Sequence, residues 1–171
     1  DITTGSCNSA LGSQSQYCNV CGLRNSSVGY QSLYYNISGC NNVAVGCRAL
    51  MVDNSSVRDF AAPSNSIGIG TCALGRVSAN HNIGIGYRAG QASQGGGVVL
   101  IGFDSGKSNT SAVGTVALGY QSLTSNTSGD RNTAAGYQSL YSVTTASSNT
   151  AFGYQAIYTG TGQHNTATGA R

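Results

Sequence analysis

The stretch Asn132-Thr-Ala-Ala-Gly-Tyr-Gln-Ser-Leu-Tyr141 returns as Asn149-Thr-Ala-Phe-Gly-Tyr-Gln-Ala-Ile-Tyr158, and residues 25–34 carry an earlier copy with the same Gly-Tyr-Gln-Ser-Leu-Tyr ending. If the central glycine is position 0, equivalent glycines recur every 16 or 17 residues, with one longer step of 24. They are Gly12, Gly29, Gly46, Gly70, Gly86, Gly102, Gly119, Gly136, Gly153 and Gly169. A short period kept over ten copies indicates a stacked repeat architecture.

Within each copy, the three positions before the glycine have the pattern of a strand. Positions −3 and −1 are mostly β-branched or apolar and position −2 is mostly Ala or Gly, as in Val43-Ala44-Val45. This alternation has the period of a strand. Position +4 is usually Leu, and the Ser, Thr, Asn and Gly residues from +6 to −5 indicate turns. A unit of about ten strand residues and a polar turn cannot bury its own apolar face, whereas stacked copies can.

The sequence therefore predicts an all-β fold, a parallel β-solenoid (β-roll) of about ten coils of 16–17 residues. One insertion loop, residues 52–64, lies in the connection between the third and fourth coils. We expect a single domain over residues 1–171. In it, disulfides staple the N-terminal coils of residues 1–72, and residues 73–171 form cysteine-free coils that end in an open half-coil.

Stacking would place each column of the repeat in line with itself at the strand spacing of about 4.8 Å. Tyr at +1 would then form an aromatic stack, which could face inward or outward. Because the residues at −2 and 0 are small, either the opposite wall of a thin coil or a neighbouring chain must approach that face of the strand closely. Asn at −4 would form an amide ladder of Asn8, Asn25, Asn42, Asn82, Asn132, Asn149 and Asn165.

The composition excludes several classes of protein. Only 8% of the 171 residues are charged and Glu is absent, which argues against a helical bundle or helical repeat. Glycine does not occupy every third position and there is one proline, so a collagen helix is excluded. No apolar run reaches the roughly 18 residues that a membrane span needs. The net charge of +3 is spread thinly, so we expect no nucleic-acid partner.

Two stretches, Asn41-Asn-Val-Ala-Val-Gly46 and Asn65-Ser-Ile-Gly-Ile-Gly70, are similar to the Asn-Ser-Val-Ala-Ile-Gly repeat of trimeric autotransporter adhesin heads. The Gly-Tyr-Gln-Ser-Leu and Asn-Thr-Ala-x-Gly segments also resemble repeats in fibre proteins of tailed phages and large algal viruses. The resemblance covers nearly the whole chain, from about residue 6 to residue 171. It implies a left-handed parallel β-roll and, from the adhesin heads, a homotrimer.

The six cysteines all lie in the first four coils, and their even number predicts disulfides formed in an oxidising location: secreted, or on a virion or cell surface. Zinc is the competing interpretation, but the one Cys-x-x-Cys segment has no second pair at a matching spacing. We therefore expect no metal and no cofactor. The register of the coils, with elimination for the last pair, predicts the disulfides Cys47–Cys72, Cys21–Cys40 and Cys7–Cys18.

Five Asn-x-Ser/Thr sequons are present, and their position in the repeat separates them. Asn25 lies in the proposed ladder and is expected to be bare. The other four fall in the turn at +7 or +8, where N-linked glycans would line one edge of the rod and supply solubility that charge does not. The alternative is that polar turns produce sequons by chance. The predicted glycan sites are Asn36, Asn54, Asn109 and Asn126.

Both ends of the sequence fall inside a coil. The chain begins at the equivalent of +6 without an initiator Met, which indicates a processed chain or a fragment, and it stops at +2. The end of one chain and the start of the next would make a nearly complete composite coil, which predicts head-to-tail stacking through open strand edges. The predicted assembly ends are Asp1, Ile2 and Thr3, and Thr166, Ala167, Thr168, Gly169, Ala170 and Arg171.

We expect no enzymatic activity. His81 and His164 share position −5 but lie five coils apart, about 24 Å at the strand spacing, so they cannot share a site within one chain. The glycine pairs are not phosphate loops, because no helix follows them.

Two classes of function remain. The first is a structural protomer of an extracellular, glycosylated filament or fibre, in which contacts lie at the coil ends. The second is a receptor-binding or adhesive fibre head of a virus, phage or cell surface, in which sister chains cover the small-residue face or the Tyr column. A cell-surface or glycan ligand would then meet the Tyr column or the insertion loop.

Overall fold

The computed structural model describes residues 5–52 and 62–171 and confirms the all-β solenoid. Its strands form a single parallel sheet in chain order, wound into about nine turns. The part of the predicted insertion loop at residues 53–61 lies outside the described residues. The ten strands are β1 (Ser9–Leu11), β2 (Ser26–Val28), β3 (Val43–Val45), β4 (Ile67–Ile69), β5 (Ile83–Ile85), β6 (Val99–Ile101), β7 (Val116–Leu118), β8 (Thr133–Ala135), β9 (Thr150–Phe152) and β10 (Thr166–Thr168).

Each strand is only three residues long, so the expectation of about ten strand residues per coil was wrong. The strand ends at the position 0 glycine, whose φ lies between 117° and 136° throughout. Residues at +2 and +4 are then also left-handed, as at Gln138 (φ 51°) and Leu140 (φ 50°). A side chain at position 0 would also clash, because a Cβ on Gly119 would lie 2.5 Å from the carbonyl oxygen of Gly136. The repeated glycine is therefore required by both conformation and space.

The core lies between position −2 of the strand and position +4 of the turn. Residues at −2 point inward, so that Ala44, Ala117 and Ala134 are fully buried. The leucine at +4 of one coil packs beneath −2 of the next, and a Cβ on Gly68 would lie 2.9 Å from Cγ of Leu50. The small residues at −2 are thus approached by the opposite wall of their own chain, which answers the question that the sequence left open.

The sixth coil reverses this arrangement. Position −2 is occupied by Leu100, which is fully buried, while +4 is glycine in both the fifth and sixth coils, at Gly90 and Gly106. A Cβ on Gly90 would lie 2.7 Å from Cδ1 of Leu100, and one on Gly106 would lie 2.5 Å from its Cδ2. The large residue therefore comes from the strand rather than the turn, and the volume of the core is kept.

The first coil has a polar core. Gln16 replaces the leucine at +4 and is 2% exposed. Its Nε2 donates to the backbone carbonyl of Ser9 (3.0 Å) and to Oγ of Ser27 (2.9 Å), while its Oε1 accepts from Nδ2 of Asn19 (2.9 Å). These bonds satisfy the buried amide, so a polar side chain can stand at +4 in the terminal coil.

Candidate functional site

The outer face of the sheet is apolar and open to solvent. Because −2 points inward, −3 and −1 point outward. The −1 row is apolar from Leu11 to Phe152, whereas the −3 row is apolar from Val43 to Val116 and carries Ser or Thr towards both ends. Only single apolar residues are normally scattered on a protein surface, whereas these form a continuous patch of the kind that marks an interaction site. The most exposed members are Leu11 (69%), Val28 (44%), Val43 (37%), Val45 (39%), Ile69 (37%), Leu118 (39%) and Phe152 (46%).

The aromatic column at +1 also faces outward, with Tyr137 43% and Tyr154 52% exposed. Five rings form one stack with centroids 5.1–5.3 Å apart and planes within 23° of parallel, running Tyr87–Phe103–Tyr120–Tyr137–Tyr154. Tyr30 stands apart from this stack because the +1 residues of the two following coils are Cys47 and Thr71.

A second set of tyrosines occupies +5, at the two ends of the rod. Tyr17 stacks on Tyr34 with centroids 5.2 Å apart, and Tyr141 stacks on Tyr158 at 5.1 Å. Desolvation, and then the neighbouring Tyr35, raise the pKa of Tyr34 above its usual value. Sequence reasoning passed over this column because its middle members are not aromatic.

Beside the +1 stack, position +2 forms a polar ladder along the surface. Nε2 of Gln138 donates to Oε1 of Gln121 (2.9 Å), and Gln155 repeats the bond to Gln138 (2.8 Å). Two coils hold an ion pair instead: the guanidinium of Arg88 donates to both carboxylate oxygens of Asp104, at 2.8 and 2.7 Å. These hydrogen bonds raise the pKa of Arg88, so it stays charged.

The Asn column at −4 is buried except at its two end members, Asn8 and Asn165, and it holds successive coils together. Its main bond differs from the expected amide ladder, because each side-chain Oδ1 accepts the backbone N–H of the next coil, as between Asn25 and Asn42 (3.0 Å). Direct amide-to-amide bonds join only Asn132, Asn149 and Asn165 among the described residues. The column members lie as follows: Asn8 accepts from Asn25, Asn42 from Ser66, Asn82 from Val98, Asn132 from Asn149 and Asn149 from Asn165.

A further ladder at −6 was missed from the sequence. There the backbone N–H donates to the side chain at −6 of the following coil: Val113 to Asp130 (2.9 Å), and Asp130 to Oγ of Ser147 (3.0 Å). Leu23 and Cys40 form the same contact, with Sγ as the acceptor at 3.3 Å. Cysteine, serine and aspartate side chains all serve as acceptors at −6, so the column has no single residue type that could have revealed it.

The structure argues against three of the four predicted glycan sites. Asn36, Asn109 and Asn126 at +7 are fully buried. The amide of Asn126 donates to the carbonyl of Gly129 (3.0 Å) and accepts its N–H (3.1 Å), closing the turn, and Asn109 closes its turn on Ala112. A sugar on such a nitrogen would have no path to solvent in this fold, so burial disfavours a glycan-lined edge at these residues, and the glycan sites stay predictions. Asn54 lies outside the described residues, and Asn25 is buried.

All six cysteines are free thiols in the structure, and none is fully buried. Cys47 and Cys72 meet across one coil step, where the N–H of Cys72 donates to the carbonyl of Cys47 (2.9 Å). Sγ of Cys21 lies 3.6 Å from the carbonyl of Ile37, three residues before Cys40. The three disulfide pairings, with Cys7–Cys18 among them, stay predictions.

At the C-terminal end of the described rod, β10 pairs with β9 on one side. Thr166, Thr168, Gly169, Ala170 and Arg171 are exposed and Ala167 is partly buried. A groove of 310 Å³ opens here between the last turn and β10, lined in part by Ile157, Tyr158 and Ala167. At the other end, Ala10 is exposed although it occupies the −2 column that is buried in the inner coils. The predicted end residues Asp1, Ile2 and Thr3 lie outside the described residues.

Over residues 5–52 and 62–171, no group of three or more His, Cys, Asp or Glu could hold a metal ion. In the same ranges, no helix is long and apolar enough to cross a membrane. His81 and His164 are both exposed. No protein-family model, curated protein or solved structure matches the chain.

Proposed function

We propose that the chain is a structural rod unit of an extracellular filament or fibre and that further copies continue its coils end to end. An oxidising, extracellular setting accords with six cysteines in the first four coils. A solenoid coil contacts only its neighbours, so a rod of this kind grows by adding coils without changing those already formed. No catalytic role is proposed.

The observation that carries this proposal is the match between the two ends of the coil stack. The N–H of Thr150 in β9 donates to the carbonyl of Asn165 in the following coil (2.8 Å). By the same register, the N–H groups of Thr166 and Thr168 point away from β9. Elsewhere in this column, Oδ1 of the −4 asparagine accepts the backbone N–H of the −4 residue in the next coil. Oδ1 of Asn165 occupies the same acceptor position, and the backbone N–H of Asn8 in a second copy would donate to it.

The test removes one outward donor from the edge. Thr168→Pro deletes an N–H that the β9–β10 ladder does not use, and proline is tolerated at such edge positions. Thr168→Val keeps the N–H and is the matched control. We expect the wild type and Thr168→Val to form assemblies that lengthen with concentration in sedimentation velocity, and Thr168→Pro to remain short. Equal assembly by Thr168→Pro, with its fold intact by circular dichroism, would refute the end-to-end contact.

A second candidate, the adhesive fibre head in which chains associate side by side as a trimer, is favoured by the exposed apolar face of the sheet. Such a face costs free energy in water, and a lateral partner would bury it. This candidate predicts an oligomer of fixed mass that Thr168→Pro leaves unchanged and Ile69→Lys disrupts. Ile37→Lys is the control, because Ile37 is 49% exposed but lies in a turn off the sheet. A cell-surface or glycan ligand would bind the surface left free by that association.

A further inference from the structure

The +1 stack of tyrosines at Tyr120, Tyr137 and Tyr154 places oxidisable side chains in direct succession on the surface. The rings of Tyr120 and Tyr137 are 5.2 Å apart at 6°, and those of Tyr137 and Tyr154 are 5.3 Å apart at 9°. All three are between 43% and 52% exposed. Neighbouring rings of this kind are both accessible to a small oxidant and held next to a reaction partner.

We propose that this stack is a modification site at which one-electron oxidation joins neighbouring coils by dityrosine cross-links. The co-reactant is a peroxide acting through a haem peroxidase or an equivalent one-electron oxidant. Each of two tyrosines loses one electron and one proton to give a phenoxyl radical. The radicals join through a carbon–carbon bond between ring positions ortho to the oxygens, which leaves each ring as a dienone. Each coupled carbon then loses its hydrogen as a proton and the carbonyl oxygen of the same ring gains a proton, which restores the phenol. In total, two tyrosines and one H₂O₂ give one dityrosine and two waters.

The geometry favours this coupling over a reaction between separate molecules. The stacked rings are nearly parallel and lie one coil step apart, so each ring is held beside a fixed partner. Bond formation requires two neighbouring rings to tilt together, and the 43–52% exposure of these side chains leaves room for that tilt. Partners held on one scaffold react with a high effective concentration, whereas free tyrosines must first meet.

The chain contains its own comparison residues. Tyr30 and Tyr87 are 46% and 44% exposed, close to the values of the stacked tyrosines. In its column, however, Tyr30 is followed by Cys47, and Tyr87 stacks on Phe103 at 5.1 Å. Phenylalanine has no hydroxyl from which to form a phenoxyl radical. Exposure alone would make all of these tyrosines equally reactive, whereas stacking on another tyrosine selects Tyr120, Tyr137 and Tyr154 within the +1 column.

A cross-link here would act where disulfides cannot. The last cysteine is Cys72, while Tyr120, Tyr137 and Tyr154 lie in the seventh, eighth and ninth coils. Each bond closes a loop of one coil and restricts the unfolded chain, as a disulfide does. The inference concerns contacts within one chain and does not depend on assembly into a fibre.

The experiment treats the full chain at high dilution with H₂O₂ and a haem peroxidase, then combines intact mass, dityrosine fluorescence and mapping of linked peptides. We expect monomers that have lost two hydrogens per link, with links at Tyr120–Tyr137 or Tyr137–Tyr154. Tyr137→Phe keeps the ring stack and removes the shared phenol, so it should lower the yield of links between tyrosines of the +1 column at least tenfold. The +5 pairs Tyr17–Tyr34 and Tyr141–Tyr158 stack in the same way, so peptide mapping counts their links separately. Tyr30→Phe should leave the yield unchanged.

Two results would overturn the inference. One is an undiminished yield, in Tyr137→Phe, of intramolecular links that involve tyrosines of the +1 column. The other is linkage of Tyr30 or Tyr87 as often as of Tyr137, which would mean that exposure and not stacking controls the reaction. Because the wild type, Tyr137→Phe and Tyr30→Phe differ only in phenol groups, thermal unfolding of each before oxidation checks that the fold is the same.

Discussion

Buried asparagines occupy two positions of the repeat and make different hydrogen bonds there. The one at +7 closes the turn of its own coil, as Asn126 does on Gly129, while the one at −4 accepts the backbone N–H of the next coil. Both places need a short side chain with a donor and an acceptor, because buried backbone groups must be paired. Asparagine therefore recurs for reasons of backbone hydrogen bonding rather than glycosylation.

At this scale we predict that Asn126→Ala destabilises the protein by about 1–3 kcal/mol, because it leaves the buried N–H of Gly129 unpaired, while the carbonyl of Gly129 keeps the bond from Asn132. Equilibrium unfolding in urea measures the change. Ser128→Ala is the matched control, since Ser128 is exposed and its loss destroys the same sequon without touching the buried amide. We expect this control to remain within about 0.5 kcal/mol of the wild type.

If glycosylation were instead the role of Asn126, both substitutions would act alike on the mass and stability of protein made in a secretory host. The sequence could not separate the two readings. The turn motif Asn-x-Ser-Gly contains a sequon by composition, as at residues 126–129, and only burial shows which way the amide points.

At the scale of the elements, the position of every strand could be predicted from the sequence and its length could not. The alternation of β-branched or apolar residues at −3 and −1 with small residues at −2 placed each strand correctly, because the side chains of a strand point to its two faces in turn. The end of the strand depends on φ, and 24 non-glycine residues of the described chain have positive values. Leu140 and Gln138 carry no sequence signal for such a conformation, which stacking imposes on them.

The reversed core of the sixth coil leads to a prediction about volume. Leu100→Ala should cost about 2–5 kcal/mol, because a fully buried side chain is removed between two glycines. Gly90→Leu alone should also destabilise, since its Cβ would lie 2.7 Å from Leu100. Combined, the two changes restore the usual order of a small residue at −2 and leucine at +4. The double variant should therefore be destabilised by less than the sum of the two single destabilisations.

Urea unfolding of the four proteins in this cycle measures the coupling between the two sites. Leu118→Ala serves as the control for losing a leucine from a strand, because Leu118 lies on the outer face and is 39% exposed. Strict additivity of Leu100→Ala and Gly90→Leu would contradict the exchange of volume between strand and turn.

At the scale of the whole molecule, the scarcity of charge follows from the stacking of like columns. Equivalent residues lie one strand spacing apart, so a charged column would set like charges about 4.8 Å from each other. Gln, Asn and Tyr can instead bond or stack on themselves, as in the ladder of Gln121, Gln138 and Gln155. Charge is accommodated where opposite signs meet in one column, as in the pair of Arg88 and Asp104.

The surface could be predicted less well than the repeat. The outward direction of the +1 and −1 columns follows from the left-handed turn after each glycine, which a pattern of residue types does not report. The match between the coil ends follows from a register that is constant along the sheet, from Ser9↔Ser26 to Thr150↔Thr166. The regular repeat thus specifies how another copy could continue the coils. The partners of the protein depend instead on side chains whose exposure only the folded structure shows.

The most direct test of the rod unit is electron cryomicroscopy of the native protein at high concentration, with the power spectrum of its assemblies. We predict unbranched filaments of constant width, with a meridional layer line near 4.8 Å, because the strands lie across the long axis. Thr168→Pro should give short particles under the same conditions. Compact particles of one fixed size for both proteins, or filaments whose strand spacing does not lie along the axis, would contradict end-to-end continuation of the coils.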